Sequence, residues 1–172
     1  MFSSFNGANQ AGRKSVARFR YYRFYATKVR TPGVDAGYPN GIIHMSEFIM
    51  LLGNTRIDYT GATATNPGGS NPVGEEPSKA IDNDQATKWL DFEFNSNLYS
   101  ILQVDFGSVR QTDAFQYRTA NDVDGRDPIR WLVQGSNDTS TWYTVHDQNS
   151  SDATITASRY TLTQVFYFNK NY

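Results

Sequence analysis

The residues best suited to chemistry lie in one ten-residue stretch, Ala80 to Trp89, which reads A-I-D-N-D-Q-A-T-K-W. Asp82 and Asp84 stand two positions apart with Asn83 between them, and Thr87 and Trp89 close the stretch. Asp and Asn side chains at this density bond their own backbone, so a tight loop is expected rather than a helix or strand. A loop with several oxygen ligands close in sequence also suits a hard cation such as calcium. An Asx-stabilised turn without metal satisfies the same residues. Trp89, large and apolar with one donor, is expected to anchor the loop to a core.

Catalytic patterns are sparse. His44 and His146 are the only histidines, and neither has a Ser partner at motif spacing. Ser136, in Q-G-S-N-D, lacks a nucleophile elbow. Asp91 and Glu93 in D-F-E-F could face one way as a glycosidase pair, but neighbouring charges on a sandwich edge are more often solvated. No phosphate-binding or dinucleotide fingerprint is present. There is no cysteine, so thiol catalysis, thiolate metal sites and disulfides are excluded. A non-catalytic protein is expected.

The elements that must position the loop read as strands. Aromatic residues make up 15% of the 172 residues, eleven Phe and eleven Tyr, which is β-favouring chemistry with ample material for a core. From Arg18 to Arg30 the chain alternates as a strand, with Tyr22, Phe24 and Ala26 on one face. Arg18, Arg20, Lys28 and Arg30 share that parity and are expected to emerge at the strand ends. The alternative, a basic aromatic surface for nucleic acid, is disfavoured because strand alternation produces the interleaving by itself. Ile42 to Leu52 is the most apolar run, strand by its Ile and Phe content although long enough for a helix. It contains Glu47, a carboxylate that needs an edge or a buried partner. Thr31–Gly41 reads as a turn or loop, Arg56–Pro77 as a broad surface excursion, and Ser78–Ile81 as one helical turn. Later strand candidates are Tyr99–Phe106, Ala114–Thr119, Arg130–Gly135, Trp142–His146 and Tyr160–Phe168, separated by polar turns. Many short strands imply an antiparallel sandwich or jelly roll.

The front of the chain differs. Residues 1–17 are rich in Gly, Asn, Ser and Ala and read as an arm, leaving 18–172 as the domain. Seven cations (Arg13, Lys14, Arg18, Arg20, Arg23, Lys28 and Arg30) precede the first acid, Asp35; from Asp35 onward the chain carries nine cations and seventeen acids. A basic front on an acidic body suits an acidic partner. The first ten residues lack an apolar core, so no secretory signal is expected, and no run is long enough to cross a membrane as a helix.

These pieces resemble discoidin domains, also called coagulation-factor type C domains, of the galactose-binding-like superfamily that includes many carbohydrate-binding modules. The stretch A-I-D-N-D-Q-A-T-K-W resembles the family's A-x-D-G-D-x-x-T-x-W loop. L-Q-V-D-F-G resembles its I-x-I-D-L-G strand, and P-I-R-W-L-V-Q-G-S-N-D-T-S-T-W its P-x-x-W-x-L-x-G-S-N-D-G-x-x-W segment. F-R-Y-Y-R-F-Y-A-T-K and I-I-H-M-S-E-F resemble two segments that come last in many members and first here, a permuted order associated with phage and large-virus proteins. The likeness covers residues 18–168. It implies an all-β, eight-stranded antiparallel jelly-roll sandwich, here with an N-terminal extended arm. It also implies one structural calcium, held by Asp82, Asp84, Thr87, Glu47 and the carbonyl of Lys79. Asn83 stands where the family usually has Gly, and Asn tolerates the left-handed backbone the loop needs.

Two functions follow from the resemblance and the arm. The first is a structural protein of a virion, a minor capsid or tail component docking to other virion proteins through Arg13, Lys14 and Arg18 of the arm. The absence of cysteines, where animal discoidin domains usually carry a disulfide, favours it, with the virion as the expected location. The alternative is a lectin-like module, extracellular or cytoplasmic, that binds glycan through loop residues Tyr38, Tyr59, Asn121, Asp122 and Arg126. Sugar sites need aromatic platforms and convergent polar groups, which those residues supply. Nucleic acid is not an expected partner.

Overall fold

In the computed structural model, which describes residues 15–170, the chain forms an all-β sandwich of antiparallel strands. The strands are β1 (Ala17–Val29), β2 (Ile43–Met45), β3 (Glu47–Leu52), β4 (Thr55–Arg56), β5 (Thr63–Thr65), β6 (Trp89–Asp91), β7 (Ser100–Thr112), β8 (Ala114–Arg118), β9 (Pro128–Ser136), β10 (Tyr143–Asp147) and β11 (Phe166–Tyr167). One sheet runs β10-β9-β1-β7-β5, the facing sheet β11-β8-β3-β4, and β2 pairs with β6 as a short ribbon. These are eleven segments among the described residues, several only two or three residues long.

β1 is the axis of the larger sheet, bonded to β7 on one edge and β9 on the other. The four cations do not simply emerge at its ends. Register shifts between Phe19 and Tyr21, and again between Ala26 and Val29, re-phase the strand. Ala17 and Phe19 point inward, then Tyr22, Phe24 and Ala26, then Val29. Arg20 and Lys28 thereby leave the core and pair with Asp105 and Asp152, at 2.8 and 2.9 Å. Phe24 sits at the centre of the core, with ring centroids of Trp131, Phe48, Tyr117 and Phe115 between 5.4 and 6.2 Å away.

The apolar run from Ile42 divides at Ser46 into β2 and β3, and every residue from Ile42 to Leu51 is buried. The excursion from Arg56 is not all loop, since β5 within it closes the edge of the larger sheet against β7. The candidate strand at Tyr160–Phe168 contracts to β11 plus one isolated bridge from Leu162 to Arg118. Tyr160 is left-handed at φ 56°, and hydroxyls take over ladder bonds: Thr119 Oγ1 accepts from the Thr161 amide and Thr163 Oγ1 from the Tyr117 amide.

Gly135 on β9 lies under the Phe19 ring, where a Cβ would come within 2.1 Å of a ring carbon. Gly135→Ala is expected to overpack this contact and cost about 1–3 kcal/mol. Urea unfolding would read it as a lowered midpoint at unchanged slope; an unaltered midpoint would show that the Phe19 ring moves aside freely.

Candidate functional site: an aspartate loop and two loop clusters

The aspartate loop follows a single 3-10 turn at Pro77–Ala80. Asp82 Oδ1 accepts from the Asp84 amide at 3.0 Å, and Asp84 Oδ1 from the Ala86 amide at 2.9 Å. Asn83 adopts the left-handed conformation, φ 64°, that its side chain tolerates. Ala80 and Trp89 are fully buried at the two ends, so the loop is pinned to the core as its sequence implies.

Thr87 Oγ1 lies within 3.0 Å of both Asp82 carboxylate oxygens and of the Asp84 carbonyl, and 3.4 Å from the Lys79 carbonyl. A hydroxyl has one proton, so this knot holds more acceptors than donors. Glu47, the first residue of β3, faces the loop from beneath. It is 2% exposed, and neither carboxylate oxygen has a hydrogen bond of normal geometry. The Arg56 guanidinium stands 3.5 Å away and also donates to Asn83 Oδ1. Burial pushes the Glu47 carboxyl up to about 7; Arg56 opposes the rise and the Asp82 charge adds to it. Among the described residues no group of three His, Asp or Glu side chains converges. The donors are instead two facing carboxylates with hydroxyl and carbonyl oxygens, a set that fits calcium and not a nitrogen-seeking metal. The buried Glu47 carboxylate, met by one guanidinium at 3.5 Å and by no hydrogen bond of normal geometry, is the feature of this structure that a hard cation would satisfy.

Tyr59 lies beside this loop, away from the other ligand candidates. With Arg56, Asp58 and Asp82 it lines a groove of about 470 Å³. Its hydroxyl is committed, donating to the Phe48 carbonyl at 2.9 Å and accepting from the Met50 amide at 3.0 Å. Arg56 covers its ring at 4.8 Å and Phe106 meets its edge. It therefore serves as a wall of the groove and not as an open stacking platform.

The remaining candidates meet at a second cluster. Lys88, nearly buried, donates to Asn121 Oδ1 at 2.9 Å and Asp122 Oδ2 at 2.8 Å, with Glu75 at 3.5 Å. Arg126 grips Asp35 through Nε and Nη2, at 3.0 and 2.6 Å. Beneath them the fully buried His44 lies between Asp122 and Asp127, at 3.2 and 3.3 Å. Asp127 is fully buried too; burial raises its carboxyl, but His44 and Arg159 outweigh that and hold it below the ordinary range. Tyr38 stacks on Phe92 at 5.5 Å, and its amide donates to the Asp35 carbonyl. Arg126 and Asp127 thus stitch loops together, while Asn121 and Asp122 are tied up by Lys88. Spacing offers no signal for Lys88 or His44, whose partners are distant in sequence, and Arg56 meets Tyr59 three positions away but reaches Glu47 and Asn83 only through the fold.

Asp91 is buried and saturated, accepting from Ser100 Oγ and from the Ser70 and Glu93 amides. The Ser136 hydroxyl accepts from the Asp138 and Thr139 amides within its turn. His146 Nδ1 is 2.9 Å from the Tyr167 carbonyl, and burial lowers its pKa. Arg13 and Lys14 lie outside the described residues; Arg18 is exposed near the start of β1.

The model of the F5/8 type C domain family matches residues 61–171, more than half of the chain. The chain belongs to the F5/8 type C domain family. The match spans the aspartate loop and the chain from there to residue 171, while β1 to β4 precede it. A peptide-N(4)-(N-acetyl-beta-glucosaminyl)asparagine amidase of Arabidopsis thaliana is 32% identical over 72 residues, 41% of this chain. The shared stretch is 10% of that relative's length. No solved structure gives a significant match.

The raised Glu47 carboxyl has a sign that can be checked in the presence of a chelator. The folded F5/8 type C domain holds a proton here more tightly than the unfolded chain. Its stability is therefore expected to fall as pH rises from the ordinary glutamate value toward about 7. Glu47→Gln removes this dependence, so the melting temperature of the variant relative to the parent should climb from pH 5 to pH 8. A flat difference would show that Arg56 fully compensates the charge.

Proposed function

We propose that this F5/8 type C domain is a non-catalytic glycan-binding module, with the groove beside the aspartate loop as its site and calcium as the loop's structural ion. The observation that carries the reading is the convergence of Arg56, Asp58, Tyr59 and Asp82 on one groove of about 470 Å³. A guanidinium, two carboxylates and an aromatic wall match the hydroxyls and the apolar flank of a sugar. Family membership supports it, and so does the Arabidopsis relative, which by its name acts on an N-acetylglucosaminyl asparagine. The hydrogen bonds of Asn121, Asp122 and Arg126 to Lys88 and Asp35 support a loop-holding role for those residues. No helix of the described residues is long and apolar enough to cross a membrane.

Calcium would be held by Glu47, Asp82, Asp84 and Thr87 with the Lys79 carbonyl, and would add to the positive charge that Arg56 alone presents to Glu47. These residues in turn fix the wall of the groove.

A second reading is assembly into a virion through residues 1–17. It is supported by the basic front of the sequence and by the exposure of Arg18 where that segment joins β1. Residues 1–14 lie outside the described structure.

Three measurements test these readings. On a glycan array the protein should give specific signals that Arg56→Gln weakens at least tenfold; an array blank at high protein concentration would refute glycan binding. Excess calcium should raise the melting temperature, and Asp82→Ala should abolish the gain, since an ion that binds only the folded state stabilises it by mass action. Equal melting with calcium and with chelator would leave the loop a metal-free turn. Removing residues 1–17 should leave glycan binding intact and, under the second reading alone, prevent incorporation into particles.

A further inference from the structure

The outer face of the larger sheet carries a row of side chains that the groove does not use. Tyr21, Arg23, Tyr25 and Thr27 point outward from β1 because Tyr22, Phe24 and Ala26 point into the core. The Arg23 guanidinium packs over the Trp142 ring at 4.1 Å and lies 5.8 Å from the Tyr25 ring. Tyr25 in turn stacks on Tyr99 at 5.1 Å. Arg23 Nε donates to Gln134 Oε1 at 2.8 Å, and Gln134 donates on to Thr144 Oγ1 at 3.2 Å. The guanidinium is thus fixed in plane and orientation, and its two terminal nitrogens donate to none of the described residues.

The charge on Arg23 is also uncompensated. Around this face Arg20 pairs with Asp105, and Lys28 and Arg130 share Asp152. Arg23 meets no carboxylate among the described residues, and its partial burial works against its charge. An arginine walled by aromatic rings with a free fork is a receptor for a planar anion, which it binds through two parallel N–H bonds. The cross-strand neighbours Gln103 and Gln134 are amides, suited to hydroxyls. A polyphosphate chain would need several free cations in register, and among the described residues the outer face of β1 offers Arg23 and, five positions away near the strand's start, Arg18.

We propose that Trp142, Arg23, Tyr25 and Tyr99 form a second glycan site, specific for acidic sugars, in which Arg23 clamps the ligand's carboxylate between the aromatic walls. The proposal rests on the glycan-binding reading but on a face separate from the groove.

Affinity electrophoresis of the full chain tests it. The gels contain polygalacturonate, hyaluronan or a sialylated glycoprotein, each beside its methyl-esterified or desialylated counterpart. Retardation is expected with at least one carboxylated ligand and not with its neutral counterpart. Arg23→Gln and Trp142→Ala should each weaken it tenfold or more with melting temperature held. If Arg23→Gln fails to fold, Arg23→Lys keeps the charge but loses the fork, and should still weaken binding at least threefold. The idea is overturned if no carboxylated ligand retards the protein, if esterification makes no difference, or if the Arg23 variants bind as the parent does. Tighter binding to single-stranded oligo-dT than to any acidic glycan would also overturn it, in favour of nucleic acid. Array signals that persist while the acidic gels fail would leave the groove reading standing alone.

Discussion

The packing of β1 between β7 and β9 is the constraint on which the rest of the structure depends. One strand has both edges bonded, one face in the core and the other in water. Its inner face supplies Phe24, which ties the two sheets together through four aromatic rings. Its outer face supplies Arg23 and Tyr25. A period-two strand could not carry so many cations on the apolar parity, and the bulges resolve the conflict. Each extra residue turns the next segment over, so that every cation leaves the core at the cost of a few ladder bonds.

Two buried carboxylates show how differently the same fold treats charge. Asp127 is surrounded by His44, Arg159 and Arg30, and its burial is repaid by ion pairs and hydrogen bonds. Such a group ties β2, the end of β1 and the segment around Arg159 together, because removing a partner leaves a buried charge less fully answered in a dry interior. Glu47 has one guanidinium at a longer distance and a second negative charge across from it. A carboxylate left in that state by packing is a strained element of the fold, and it points at the aspartate loop and the groove beside it.

The same contrast separates the arginines. Arg126 and Arg159 are consumed by Asp35 and Asp127, whereas Arg23 is held in place only by an uncharged amide and aromatic rings. Side chains whose charge is answered internally organise loops. Side chains whose charge is not answered are where a ligand would gain most, since the cost of positioning them has already been met by the fold.

The sequence by itself determined the β class, the aromatic core, the left-handed loop at Asn83 and the burial of Trp89. These depend on bonds and alternation among residues a few positions apart, which the chain order displays directly. It also marked Glu47 as a carboxylate needing a partner. Only the tertiary structure decided that this partner is Arg56, that Asn121 and Asp122 are bound by Lys88, and that Tyr59 lies with the aspartate loop and not with Arg126. It also decided that Tyr160 breaks the last strand and that Arg23 meets no acid among the described residues. Each of those outcomes depends on which strands become neighbours. Long-range pairing sets side-chain surroundings through register and bulges, and a one-residue shift exchanges the two faces of a strand, so local pattern cannot fix them.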